Sequence, residues 1–201
     1  YEARKFGIHS AMPISEAWRR CPDAVYLQPD IPKYRAISAQ VFAALLNISP
    51  AIEKASIDEA YIDISGLAKI SGTPEEIGFK VKKGVYKETG LTCSIGIAPL
   101  RFLAKIASDM NKPDGITIIT KEMMMDFINR LPVRKIPGVG NKTVTTLDRM
   151  NIKRLGDVKK YPLEHLEKRL GKFGNRLWEL ARGIDRVKIG EPVKSKSIST
   201  E

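Results

Sequence analysis

Only two cysteines, Cys21 and Cys93, occur in the 201 residues. They have no metal-ligand spacing and cannot make a disulfide framework, so a reducing, cytoplasmic setting is expected. No run of about 18 apolar residues exists, so no membrane-spanning helix and no membrane partner are expected. The first residues, Tyr1-Glu2-Ala3-Arg4-Lys5, are followed by no apolar stretch, so no secretory leader is expected. Of the two histidines, neither His9 nor His165 has sequence neighbours that suggest general acid–base work. Internal repeats and low-complexity segments are absent as well.

What is present is a chain with 43% hydrophobic residues, enough for a core and one to two domains. Lys and Arg number 34 against 23 Asp and Glu, a net charge of +11. The excess is uneven: residues 131–201 hold 17 basic and 8 acidic residues, net +9, which leaves +2 for the first 130. A basic final third on a nearly neutral body points to a polyanion partner, most simply nucleic acid.

The most telling stretch is Ala55-Ser56-Ile57-Asp58-Glu59-Ala60-Tyr61-Ile62-Asp63-Ile64. Residues on both sides of the acidic pair alternate with period 2, which predicts strand, acidic corner, strand. Two adjacent carboxylates at a hairpin tip repel each other unless a cation lies between them, and hard oxygen donors suit Mg²⁺. A solvated turn is the plain alternative.

Around the corner, helical spacing predicts a helix over 32–47, with Tyr34, Ile37, Val41, Ala44 and Leu45 on one face. Thr73-Pro74-Glu75-Glu76 predicts a capping box, with Ile77, Val81 and Val85 as the buried stripe and Gly90 as the stop. Alternation over 91–97 and 116–119 predicts two strands, joined by a helix over 99–110. The order helix, strand, strand, helix, strand, helix, strand predicts an α+β sheet with helices on one face. Upstream, residues 1–5 read as part of a helix, Pro13 opens another, and Val25-Tyr26-Leu27 is a strand candidate. Downstream, short helices are expected. Met123, Met124, Met125, Phe127 and Ile128 are packing residues there, and Leu147, Met150, Ile152, Leu155, Leu166, Leu170, Phe173, Leu177 and Leu180 supply the core. Residues 187–201 read as a linker.

Ile136-Pro137-Gly138-Val139-Gly140-Asn141-Lys142-Thr143 has the helix-hairpin-helix pattern. Two glycines permit a tight hairpin, and the free N–H groups of the next helix then face a phosphate. Lys142 adds a charge. Such a hairpin grips the backbone of DNA irrespective of base sequence.

Together these segments resemble the Y-family translesion DNA polymerases of the DinB-like group. The likeness is carried by Tyr1-Glu2-Ala3-Arg4-Lys5-Phe6-Gly7, Ala11-Met12-Pro13-Ile14, Ser56-Ile57-Asp58-Glu59-Ala60-Tyr61-Ile62-Asp63, Ser94-Ile95-Gly96-Ile97-Ala98, Leu103-Ala104-Lys105-Ile106-Ala107-Ser108-Asp109, Asn111-Lys112-Pro113-Asp114-Gly115 and Ile136-Pro137-Gly138-Val139-Gly140. The resemblance implies partial fingers over 1–30, a ferredoxin-like catalytic palm over 31–119, a helix-hairpin-helix thumb over 120–186, and a linker over 187–201. It implies that Asp58 and Glu59 are the catalytic metal ligands, with Asp58 bridging two Mg²⁺ ions. It implies nucleotide contacts from Tyr1, Arg4 and Lys112, and DNA-backbone contacts from Gly138, Val139, Gly140 and Lys142. The implied partners are primer–template DNA, deoxynucleoside triphosphates and a sliding clamp.

One departure stands out. The family carries another metal-binding aspartate on an N-terminal strand, followed closely by an aromatic residue that excludes ribonucleotides, and both would precede Tyr1. The chain is therefore expected to be a piece truncated at both ends, and to polymerise poorly alone. Two other classes compete with a templated polymerase: a DNA-binding module without catalysis, and a metal-dependent nuclease.

Overall fold

The structure, a computed structural model, describes residues 1–187 together with Ile189 and Gly190. It comprises two compact units, Tyr1–Arg35 and Ala36–Glu201. The linker expected over 187–201 otherwise lies outside the described residues.

In the first unit the helix expected at the start is a single 3-10 turn, Ala3–Phe6. Gly7 ends it in the left-handed region, its N–H returning to the Arg4 carbonyl at 2.9 Å. Helix α1, Ile14–Arg20, follows Pro13 as expected. Val25-Tyr26-Leu27 is not a strand. Val25 and Leu27 are exposed, and no described strand of this unit is there to pair with them. Helix α2, Ile31–Leu46, begins where Asp30 accepts the Lys33 N–H at 3.0 Å, and it runs on into the second unit.

Among its described residues the second unit contains two strand ladders instead of the one sheet expected. Strands β1, Ile52–Lys54, and β2, Ala60–Ile62, pair antiparallel with Glu53 opposite Tyr61. After the short helix α3, Ala68–Ser71, comes α4, Pro74–Thr89. Strand β3, Ile95–Ile97, helix α5, Arg101–Met110, and strand β4, Ile116–Ile118, then form a parallel β-α-β unit. Strand β3 is shorter than its alternation predicts. One reason is that the Cys93 carbonyl accepts from Lys82 Nζ at 3.0 Å and not from a neighbouring strand.

Helix α4 starts as expected. Thr73 Oγ1 accepts the Glu76 N–H at 3.2 Å, and Glu76 accepts the Thr73 N–H at 2.7 Å. The buried stripe is Ile77, Val81 and Val85. Val81 and Val85 join Leu45, Ile52, Ile62 and Ile95 in a cluster that both ladders share. Thr73→Ala should cost about 1 kcal/mol, seen as a lower urea midpoint with an unchanged slope.

The two helices flank the β3–β4 ladder. Gly78 of α4 lies against Ile97 and Ile116, whereas Gly96, pointing the other way along the strand, faces the α5 backbone. The sequence pattern had suggested helices on one face.

The larger core lies beyond β4. It is built by α5 with α6, Lys121–Arg130, α7, Asn141–Arg149, α8, Leu163–Leu170, and α9, Lys172–Ala181. Leu103, Ile128, Leu147, Ile152, Leu155, Leu166 and Leu177 are fully buried, each contributing about 1.5–3 kcal/mol. Met124, Met125 and Phe127 pack on this core, but Met123 is exposed on the opposite side of α6. No described helix is long and apolar enough to cross a membrane.

Candidate active site

The β1–β2 hairpin places Asp58 and Glu59 at its tip, as the alternation predicted. The tip is closed by backbone bonds from the Ala55 and Ser56 N–H groups to the Glu59 carbonyl, 3.0 and 3.2 Å. Ser56 Oγ donates to Asp58 Oδ1 at 2.6 Å. Buried Ser38 on α2 donates to the Ile57 carbonyl at 2.5 Å and ties the corner to that helix.

Sequence reasoning assigned no role to two residues that face this corner. Lys105 on α5 is ion-paired with Glu59 and lies 3.8 Å from Asp109, one turn further along the helix. Asp109 in turn binds Lys112 at 2.6 Å. Glu59, Lys105, Asp109 and Lys112 thus alternate in sign along one line. Burial pulls the Lys105 ammonium down, yet its hydrogen bond to Glu59 and the charges of Asp109 and Glu59 leave it above its ordinary value. Burial likewise pushes the Asp109 carboxyl up. The hydrogen bond from Lys112 and the charges of Lys105, Lys112 and Lys135 outweigh that and hold it below its ordinary value. With its folded value depressed, Asp109 contributes stability above the usual carboxylate range, which is lost as pH falls through that range. The signal for both residues was their i, i+4 spacing on α5, away from the Leu103 and Ala107 stripe.

The corner partly fits a divalent cation. Asp58 and Glu59 supply hard carboxylate oxygens, but Glu59 is shared with Lys105. Among the described residues no group of three or more His, Cys, Asp or Glu could hold a metal ion. When bound, a divalent ion would polarise phosphoryl oxygens and lower the pKa of an attacking hydroxyl.

The other expected nucleotide contacts, Tyr1 and Arg4, are exposed in the first unit, at and within its 3-10 turn. Of the predicted hairpin, Gly138 has φ +89°, where a side chain is strained, and Phe173 packs on its open side. Gly140 instead caps α7 with φ −90° and open space around it, so its need for glycine is not steric. Val139 packs on the core, and Lys142 is exposed in the first turn of α7. That helix has no side-chain cap, so its first N–H groups are open to a ligand.

The impB/mucB/samB family matches residues 1–109, and the thumb domain of DNA polymerase-iota matches 134–185. The DNA polymerase IV of Ralstonia nicotianae is 41% identical over all 201 residues, which cover 56% of that protein. That of Methanoculleus marisnigri is 43% identical over the same span, again 56% of its length. The chain therefore spans just over half the length of these curated relatives. Among solved structures, a DinB family error-prone DNA polymerase from Sulfolobus solfataricus superposes with a TM-score of 0.87 at 34% identity, over 94% of this chain and 57% of that one. An insertion ternary complex of Dbh DNA polymerase gives the same TM-score and identity, over 94% of this chain and 56% of that one.

Proposed function

Because the chain belongs to the impB/mucB/samB family, we propose that it is the catalytic part of a template-directed DNA polymerase of the translesion type, acting in the cytoplasm in DNA repair and damage tolerance. The observation that carries this reading is the Asp58–Glu59 corner set against the Lys105–Asp109–Lys112 line, in a chain whose relatives are DNA polymerases IV.

Asp58 and Glu59 would hold two Mg²⁺ ions together with a carboxylate from outside the described residues. Lys112 would leave Asp109 for the incoming triphosphate, where an ammonium acts as a point charge. Tyr1 and Arg4 would contact the same nucleotide, the guanidinium of Arg4 suiting two phosphate oxygens at once. The Gly138 hairpin, the open end of α7 and Lys142 would hold the primer–template backbone. In these terms residues 1–30 act as fingers, 31–119 as palm and 120–186 as thumb. A sliding clamp is a further partner.

Templated primer extension with Mg²⁺ and deoxynucleoside triphosphates by the full-length protein tests the reading. DNA binding without extension would leave a binding module, and cutting without nucleotides would make it a nuclease. For the thumb, Lys142→Ala should lower DNA affinity equally across sequences and reduce the slope of log K against log salt by about 1. An unchanged slope would remove Lys142 from the backbone contact.

A further inference from the structure

Arg101 opens α5 one turn before Lys105, so the two side chains share a helix face. On the hairpin, Glu59 precedes β2 and stands two residues before Tyr61, while Glu53 is the cross-strand partner of Tyr61. Helix and hairpin therefore meet at two successive rungs. At the outer rung Lys105 pairs with Glu59, whose side chain is 41% exposed. At the inner rung Arg101 pairs with Glu53, the two side chains being 24% and 16% exposed, and the guanidinium lies 4.0 Å from the centre of the Tyr61 ring. Among the described residues Arg101 Nε is buried without a hydrogen-bond partner. The guanidinium is thus set by its hydrogen bond to Glu53 and its stack on Tyr61, at the cost of leaving Nε unpaired.

A third contact fixes the same end of the helix. Leu100 offers α5 no side-chain cap, and Asp185, from beyond α9, accepts the Phe102 N–H at 3.0 Å. The Asp185 side chain is buried and binds Arg176 of α9 at 2.6 Å. The start of α5 is therefore held on one side by the hairpin and on the other by the helical half of the unit.

We propose that Arg101 is a positioning residue for the acidic corner: by clamping Glu53 and Tyr61 to α5 it sets where Glu59 stands relative to Lys105 and to any cation bound at Asp58 and Glu59. This rests on the polymerase reading above for its catalytic consequence, but not for its cation-binding one. Lysine at this position would keep the charge for Glu53 and lose the planar stack on Tyr61.

The test uses the full-length protein with Arg101→Met, Arg101→Lys and Glu53→Gln, and reads two things. The first is Tb³⁺ luminescence sensitised by Tyr61, which reports cation affinity at the corner with no turnover. The second is single-nucleotide insertion. Arg101→Met should weaken Tb³⁺ binding and lower kcat by about tenfold each, with nucleotide KM and primer–template Kd within about twofold. Arg101→Lys should recover most of the cation affinity. Glu53→Gln should repeat the Arg101→Met pattern, and it decides the matter if Arg101→Met does not fold. Wild-type Tb³⁺ affinity in the folded variants would overturn the proposal. A wild-type full-length protein that binds primer–template DNA without extending it would sink the polymerase reading instead, and the Tb³⁺ comparison would still decide the role of Arg101.

Discussion

Replacing Asp58 by Asn in the full-length protein should lower templated extension by about 10³-fold or more, while primer–template affinity stays within about twofold. The variant is chosen because it changes little else. Ser56 Oγ donates to Asp58 Oδ1 at 2.6 Å, and an asparagine oxygen accepts the same bond. The turn keeps its shape and loses one charge. That charge matters because Glu59 is already engaged by Lys105, so of the two corner carboxylates Asp58 is the one without a cationic partner among the described residues. In the proposed reaction nucleotidyl transfer would bring a polyanionic triphosphate to this corner, and carboxylates there would repel it unless a divalent cation intervened. A factor of 10³ corresponds to about 4 kcal/mol of barrier, within reach of one uncompensated charge in a partly desolvated site. Lys142 lies in the first turn of α7 and not on the β1–β2 hairpin, so Asp58→Asn and Lys142→Ala should divide cleanly, one altering rate and the other affinity. Extension within tenfold of wild type would remove Asp58 from the chemistry.

The acidic corner was legible because its strands announce themselves by alternation and because two neighbouring carboxylates need a reason. The α4 helix was legible for similarly local reasons, with cap, stripe and stop all inside one window. The cationic half of the site was not. Lys105 and Glu59 are 46 residues apart, and nothing local in either segment says that they meet. Asp185 is harder still. It stands alone between Ile184 and Arg186, and its role is to cap a helix 83 residues earlier. Val25-Tyr26-Leu27 shows the converse error: three consecutive apolar residues suffice to suggest a strand but not to supply the neighbour that a strand requires.

Gly96→Ala should be among the most damaging single substitutions in the second unit, lowering stability by about 3 kcal/mol and the melting temperature by about 6–12 °C. A Cβ at Gly96 would fall inside the van der Waals envelope of the Ala104 carbonyl oxygen and the Ser108 nitrogen, and 2.9 Å from the Ala107 carbonyl carbon. These are backbone atoms of α5, so no side chain can rotate away. The helix must lift off β3, and Leu103, Ile106 and Ala107 lift with it out of the larger core. The displaced segment, from Ala104 to Ser108, also brackets Lys105, so the ion pair to Glu59 should weaken together with the fold. Gly84→Ala is the control: Gly84 lies within α4 and an added Cβ there meets nothing within 4 Å. It should raise stability by about 0.5–1 kcal/mol, because alanine loses less backbone entropy on folding and favours helix. Differential scanning calorimetry of the two variants beside wild type reads both signs at once. A Gly96→Ala protein that melts with wild type would mean that α5 does not lie on β3 as closely as described, and the placement of Lys105 beside the acidic corner would fall with it.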